Sequence, residues 1–214
     1  MPPRGGEFGP GGGAVGHRPG ADFGPGGGFG HNGRPMSVES RDSVSLKPAE
    51  IDEFGQLLLA AGLSISDEEL DRQIESFPLV VIETGDGELQ GMMLGSLERI
   101  GGTPAILWGL GATRKGKQAG STLKSMTGEL TRRAAISFPD EDVIVATRLA
   151  QPSCYVLLQS YANLVPRPGY TANGEDRAWG RRLAKRYGVD GHLDRKSTRL
   201  NSSHVALSRM PSSA

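Results

Sequence analysis

Residues Pro104 to Met126, PAILWGLGATRKGKQAGSTLKSM, decide how the rest of the chain is read. Pro104 to Leu110 is a nearly continuous apolar run, the pattern of a buried strand. Gly111, Gly116 and Gly120 follow, with Arg114, Lys115 and Lys117 between them, and from Ser121 apolar residues recur at helical spacing through Leu123, Met126 and Leu130. A strand, a basic glycine loop and a helix in that order make an anion cradle. Glycine lets the backbone turn sharply and come close to a ligand, and the free N–H groups at the positive end of a helix point at a phosphate.

Two readings of the loop compete. From Gly111, GATRKGKQ has the spacing G-x-x-x-x-G-K of a nucleotide-binding P-loop, but Gln118 stands where a Ser or Thr hydroxyl would hold magnesium. The next apolar run, Asp142 to Leu149, also lacks a terminal acid to hold that metal from the other side. From Lys115, KGKQAGSTL resembles the acetyl-CoA loop of the GNAT N-acetyltransferases, whose pattern is Arg/Gln-x-x-Gly-x-Gly/Ala at the end of a strand. Lys115 stands for the Arg/Gln, Gln118 for the first glycine and Gly120 for the second. Lys115 keeps the charge without the guanidinium fork, and Gln118 brings a side chain where the family keeps bare backbone. A plain strand-to-helix turn with solvated lysines is the third alternative.

Composition bounds the classes. The chain has 214 residues and a formal net charge of zero, so no basic excess argues for nucleic acid as a partner. One cysteine, Cys154, excludes an intramolecular disulfide and provides no metal cluster, which makes a reducing cytoplasm the default location. No apolar run approaches the ~18 residues of a membrane helix.

Both ends read differently from the middle. Residues 1 to 36 are rich in glycine and proline, with a near repeat of EFGPGGG (Glu7 to Gly13) and DFGPGGG (Asp22 to Gly28), and are expected to be a disordered tail. Asp194 to His204, DRKSTRLNSSH, reads as the in-frame translation of a common sequencing adapter, and Ser208 to Ala214 as its second half in a shifted frame. Residues 194–214 are therefore expected to be an artefact rather than a domain, supplying no strand. The natural protein would then continue beyond Leu193.

Between the tails, residues 37–193 read as one domain. A short strand at Val44 and Leu46 precedes a helix opened by Pro48, with Ile51, Phe54, Leu57 and Leu58 inward and Gly62 at its end. Ser66 caps a second helix, with Glu69 completing a capping box and Leu70 and Ile74 inward. Phe77 to Glu83 is a strand, Asp86-Gly87 a hairpin turn, and Leu89 to Leu97 the returning strand, in which Gly91 and Gly95 weaken pairing or mark bulges. The central strand, the glycine loop and a helix to Ser137 follow. A strand over Asp142 to Leu149 and a helix from Pro152 through Tyr155, Leu158 and Ala162 complete the order.

That order is the GNAT order, and the resemblance covers about Val44 to Val165. It implies an α/β fold: a mixed, mostly antiparallel sheet flanked by helices, with a splayed central strand and a CoA-binding loop. It also implies an acetyl-CoA-dependent N-acetyltransferase with acetyl-CoA as cosubstrate, no metal, and an amine of a small molecule or protein as acceptor; a homodimer is compatible with it. Leu110 or its neighbour would offer a backbone N–H to the thioester oxygen, with Ala112 farther along the same strand. Lys115, Gly116, Lys117, Gln118, Ala119, Gly120 and Ser121 would hold the pyrophosphate, with Arg114 also free to meet phosphate. Tyr155, one helical turn beyond Gln151, would protonate the leaving thiolate. The central strand has no carboxylate for a base, and Glu83 and Glu98 near strand ends could act only through water. The missing base keeps a second class open, a non-catalytic GNAT-like module that binds CoA or a partner. Arg177 to Tyr187, RAWGRRLAKRY, reads as a solvated basic helix with Leu183 and Tyr187 on one apolar stripe.

Overall fold

The computed structural model describes residues 36–149, 155, 158–159, 161, 163–190 and 204–210. Its strands are β1 (Met36–Asp42), β2 (Leu79–Gly85), β3 (Glu88–Ile100), β4 (Thr103–Thr113), β5 (Val143–Leu149) and β6 (His204–Met210). Its helices are α1 (Pro48–Ala61), α2 (Asp67–Ser76), α3 (Ala119–Ser137) and α4 (Gly174–Arg186). The six strands form one sheet in the order β1-β2-β3-β4-β5-β6, antiparallel throughout except for the parallel β4–β5 pair. Element order and topology up to β5 are those implied by the GNAT resemblance.

Local chemistry explains most boundaries. Pro48 starts α1, where its missing N–H costs nothing, and Gly62 ends the helix in the left-handed region at φ 91°. Ser66 caps α2 by accepting from the Glu69 amide at 3.2 Å. The Glu69 carboxylate turns instead to Arg72 and Gln73, so only half of the expected capping box forms. Asp86 (φ 58°) and Gly87 (φ 80°) make the two-residue hairpin turn between β2 and β3, since both central positions need positive φ.

Two expectations are corrected. The first strand is Met36–Asp42, not Val44 to Leu46; Ser43–Ser45 forms a single 3-10 turn. Serines and charged residues mask the alternation of β1, whose pairing with β2 supplies the signal that its own sequence lacks. Residues His204–Met210, expected to supply no strand, pair antiparallel with the whole of β5 from Val143↔Met210 to Leu149↔His204. A strand edge presents unpaired N–H and C=O groups that an extended segment can satisfy with its backbone alone, so no selected side-chain pattern is required. The helix expected from Pro152 to Ala162 lies mostly outside the described residues, as do Gln151 and Cys154.

Apolar side chains fill both faces of the sheet. On one, Phe54, Leu57 and Leu58 of α1, Leu70 and Ile74 of α2, and Trp179 and Leu183 of α4 pack on Val80, Ile82, Met92, Leu94, Leu107 and Ala146. On the other, Met126, Leu130 and Ala134 of α3 meet Val81, Met93, Ile106, Trp108 and Val145. Gly91 and Gly95 are there because α3 lies so close. A Cβ at Gly91 would sit 2.6 Å from Thr122 Cγ2, and one at Gly95 2.9 Å from Leu130 Cδ1. Irregular pairing accompanies both, with register shifts at Glu83/Thr84 between β2 and β3 and at Met93/Gly95 between β3 and β4.

Gly91→Val is expected to destabilise the protein by about 1–3 kcal/mol through overpacking beneath α3, read as a lower urea midpoint. Removing residues 204–214 uncovers the β5 edge, so a lower melting temperature and concentration-dependent association are expected. An unchanged melting temperature with monodisperse gel filtration would show that β6 adds nothing to the fold.

Candidate active site

β4 and β5 are in register from Ala105↔Ile144 to Trp108↔Thr147, and their pairing stops there. β4 runs five residues farther, to Thr113, still paired to β3, while Arg148 and Leu149 of β5 pair only with β6. A gap therefore opens in mid-sheet beyond Trp108. Its cause lies on the other side of β4. Met93 faces Gly111 and Gly95 faces Trp108, so Leu94 alone opposes two residues, Gly109 and Leu110. The extra residue is a β-bulge, which bends a strand and increases its local twist. The splay expected of the central strand is present, and its origin is one inserted residue.

Beyond the gap, β4 ends at Thr113 and the chain turns through residues 114–118 into α3. Gly116 has φ 154°, outside the range L side chains favour. The start of α3 differs from those of the other helices. Ser66 and Asn173 cap α2 and α4 with side-chain oxygens, and Glu50 reaches back over the start of α1. Gln118 makes no side-chain cap, and no acid lies in the first turn of α3. The amide of Ala119 reaches the Gly116 carbonyl and that of Thr122 the Gln118 carbonyl, but among the described residues those of Gly120 and Ser121 have no backbone acceptor. A Cβ at Gly120 would meet nothing within 4 Å, so nothing among the described residues requires glycine there. The Ser121 hydroxyl donates to the Gln118 carbonyl at 2.8 Å. Lys115 and Lys117 are exposed on the same turn.

The structure gathers Lys115, Gly116, Lys117, Gln118, Ala119, Gly120 and Ser121 at the mouth of the gap, with Leu110 at the bulge and Ala112 buried two residues beyond. Arg114 is otherwise engaged. Its amide donates to Gln90, its Nε to the Leu89 carbonyl, and its guanidinium lies 3.7 Å from Glu88. The expectation that it is free to meet phosphate is corrected: it clamps the end of β4 to β3. The P-loop alternative also loses its geometry, because Gly111, Ala112 and Thr113 are strand residues paired to Met93, Met92 and Gly91 rather than the start of a phosphate-wrapping loop.

Tyr155 packs on the α3 side of the sheet, and its hydroxyl donates to the Pro166 carbonyl at 2.7 Å. Glu98 is held by Arg186 at 2.9 Å and by the Ser96 hydroxyl, at the end of the sheet away from the loop. Glu83 faces α3 and is 4 % exposed. Its Oε2 lacks a hydrogen-bond partner among the described residues, and burial pushes its carboxyl up to about 7 against the opposing effect of Ser125.

Two residues at the fork escaped the sequence reading. The Tyr187 hydroxyl lies 2.8 Å from the Ala146 carbonyl and 3.0 Å from the Trp108 carbonyl, bridging the strands where they part. Phe77 packs flat on the bulge, its ring 2.8–3.0 Å from where a Gly109 Cβ would stand. The apolar stripe of Leu183 and Tyr187 was legible, but not what it would touch.

No family model matches the chain, and no curated protein matches it. Among solved structures, 84 chains match. N-acetylglutamate synthase from Neisseria gonorrhoeae, complexed with coenzyme A and N-acetyl-glutamate, is 17% identical with a TM-score of 0.48; the match covers 81% of this chain and 35% of that one. The ribosomal-protein-S18-alanine N-acetyltransferase from Escherichia coli is 10% identical over 84% of this chain and 95% of that one, at 0.47. An IAA acetyltransferase from Bacillus cereus is 13% identical over 82% and 99%, at 0.44.

The raised Glu83 carboxyl gives a signed pH dependence. In the unfolded chain it ionises near its ordinary 4.5, but in the folded protein it stays protonated to about 7. The folded state therefore binds more protons across that window, and stability falls as pH rises through it, by about 2–3 kcal/mol. Glu83→Gln should lose this component, so its urea midpoint relative to wild type should rise between pH 5 and pH 8. Parallel curves for the two proteins would show that Glu83 ionises normally.

Proposed function

We propose that residues 37–193 form an acetyl-CoA-dependent N-acetyltransferase domain of the GNAT type, moving an acetyl group to an amine of a small molecule or protein. The observation that carries the reading is the gap between β4 and β5, opened by the bulge at Gly109–Leu110 and leading to an uncapped helix start. Acetyl-CoA fits this arrangement end to end. The amides of Gly120 and Ser121 and the positive end of α3 meet the pyrophosphate, with Lys115 and Lys117 adding charge and Gly116 allowing the turn. Gln118 and Ala119 carry the chain past the phosphates, and the open space at Gly120 lets them approach the backbone. The pantetheine arm then lies in the gap beside Ala112, and the Leu110 amide donates to the thioester oxygen.

Acetyl-CoA supplies an activated acyl group. The Leu110 N–H stabilises the oxygen as negative charge develops on it when the amine attacks. Tyr155 gives its phenolic proton to the departing thiolate, exchanging its bond to Pro166 for one to sulfur. With no carboxylate on β4, the amine must arrive neutral or lose its proton through water.

Two observations favour a second reading, a CoA-binding module without turnover: the absence of that carboxylate, and the engagement of the Tyr155 proton by Pro166.

Calorimetry should detect CoA binding that is independent of magnesium and tighter than ATP binding; magnesium-dependent ATP binding without CoA binding would sink the proposal. Gly120→Glu, which puts bulk and negative charge at the cradle, should abolish CoA binding and leave the melting temperature within about 2 °C, because the position is open. Thiol release from acetyl-CoA with a panel of amines separates the two readings, since binding without turnover selects the second.

A further inference from the structure

The fork where β4 and β5 part is held from the face opposite α3, and this clamp has its own chemistry. Trp108 and Thr147 are the last paired residues of the two strands, so the ladder ends there and backbone beyond it has no partner from the facing strand. Tyr187, at the C-terminal end of α4, places a donor across that end: its hydroxyl lies within hydrogen-bond distance of the carbonyls of Trp108, in the last pair, and of Ala146, one residue before it. A hydroxyl has one proton to donate, so the two carbonyls share it and are held together across the fork. The next residue after Trp108 is Gly109, and there the 3 % exposed Phe77 ring sits where a side chain would be. The rings of Phe77 and Tyr187 are 6.1 Å apart, and the Arg186 guanidinium covers Phe77 at 5.2 Å. Three consecutive elements of the site are thus fixed: the end of the ladder by Tyr187, the first bulge residue by Phe77, and the second, Leu110, by its chain neighbours.

We propose that Tyr187 and Phe77 are positioning residues that set the aperture between β4 and β5 and aim the bulge amide at the acyl carbonyl. This rests on the acetyl-CoA reading above and adds to it a requirement for α4 and the C-terminal end of α2. Both act through the strands' own backbone, Tyr187 on the Trp108 and Ala146 carbonyls and Phe77 at Gly109. Desolvation raises the pKa of the Tyr187 phenol and keeps it protonated, so it remains a donor to the carbonyls and does not serve as the acid.

The test uses the full chain with acetyl-CoA labelled with carbon-13 at the thioester carbonyl. A hydrogen bond from the bulge amide moves that carbonyl resonance downfield on binding, a readout that a merely structural residue would not alter in a folded variant. Tyr187→Phe removes only the hydroxyl. It should leave the dissociation constant for CoA within about threefold, because the phosphate cradle is remote, while the bound carbonyl shift falls by about half or more toward its free value. Phe77→Leu keeps an apolar side chain but removes the ring under Gly109, and should reduce the same shift; it also serves if Tyr187→Phe does not fold. A wild-type shift retained in both folded variants, or in the folded one alone if the other does not fold, overturns the proposal, even if melting temperatures drop. A wild type that binds acetyl-CoA with no carbonyl shift overturns it and leaves the cradle standing. A wild type that binds no CoA removes the functional reading and this inference together.

Discussion

The extra residue in β4 is the constraint from which the site follows. In a regular sheet Gly109 and Leu110 would continue the ladder with Arg148 and Leu149 of β5, and mid-sheet backbone would have no reason to face a ligand. With Gly109 and Leu110 both opposite Leu94, β4 bends and parts from β5 after Trp108. The cost is a set of backbone groups without ladder partners. Tyr187 ties the two strands together on the α4 side of the fork, and beyond it they are unpaired with each other.

The two faces of the sheet divide the work. α3 seats closely over Gly91 and Gly95, where bare backbone lets Thr122, Met126 and Leu130 approach, and this fixes the direction in which the helix start points. Glu83 lies under the same helix, a buried carboxyl whose pKa desolvation raises to about 7. The opposite face carries α1, α2 and α4, and its contribution to the site is steric: Phe77 from the end of α2 and Tyr187 from the end of α4 meet at the bulge. Arg114, itself exposed, ties the end of β4 to β3, and Lys115 and Lys117 are the other exposed cations of the turn.

The outer edges follow a different logic. β1 and β6 are held to their neighbours by backbone pairing over seven residues each, and neither has a sequence that announces a strand. For β1, polar residues hide the alternation; for β6, the segment reads as foreign to the domain. Backbone hydrogen bonds are indifferent to side-chain identity, so such edges can form on sequences with little pattern of their own.

What the sequence determined by itself is what local chemistry controls. Pro48 and Gly62 bound α1, Ser66 caps α2, Asp86-Gly87 turns the hairpin, and the apolar run from Pro104 followed by KGKQAGS places strand, loop and helix in order. Each depends on the conformational preference or hydrogen bonding of a few neighbouring residues. The tertiary structure alone decided the register of β3 against β4, because a bulge is a mismatch between two strands and Gly109 reads the same in either register. It also decided that Arg114 would be consumed by Leu89 and Glu88, that Tyr155 would meet Pro166, and that Phe77 and Tyr187, far apart in sequence, would converge on the fork. These contacts join residues whose separation is set by how helices pack on a sheet, and no local preference encodes that distance.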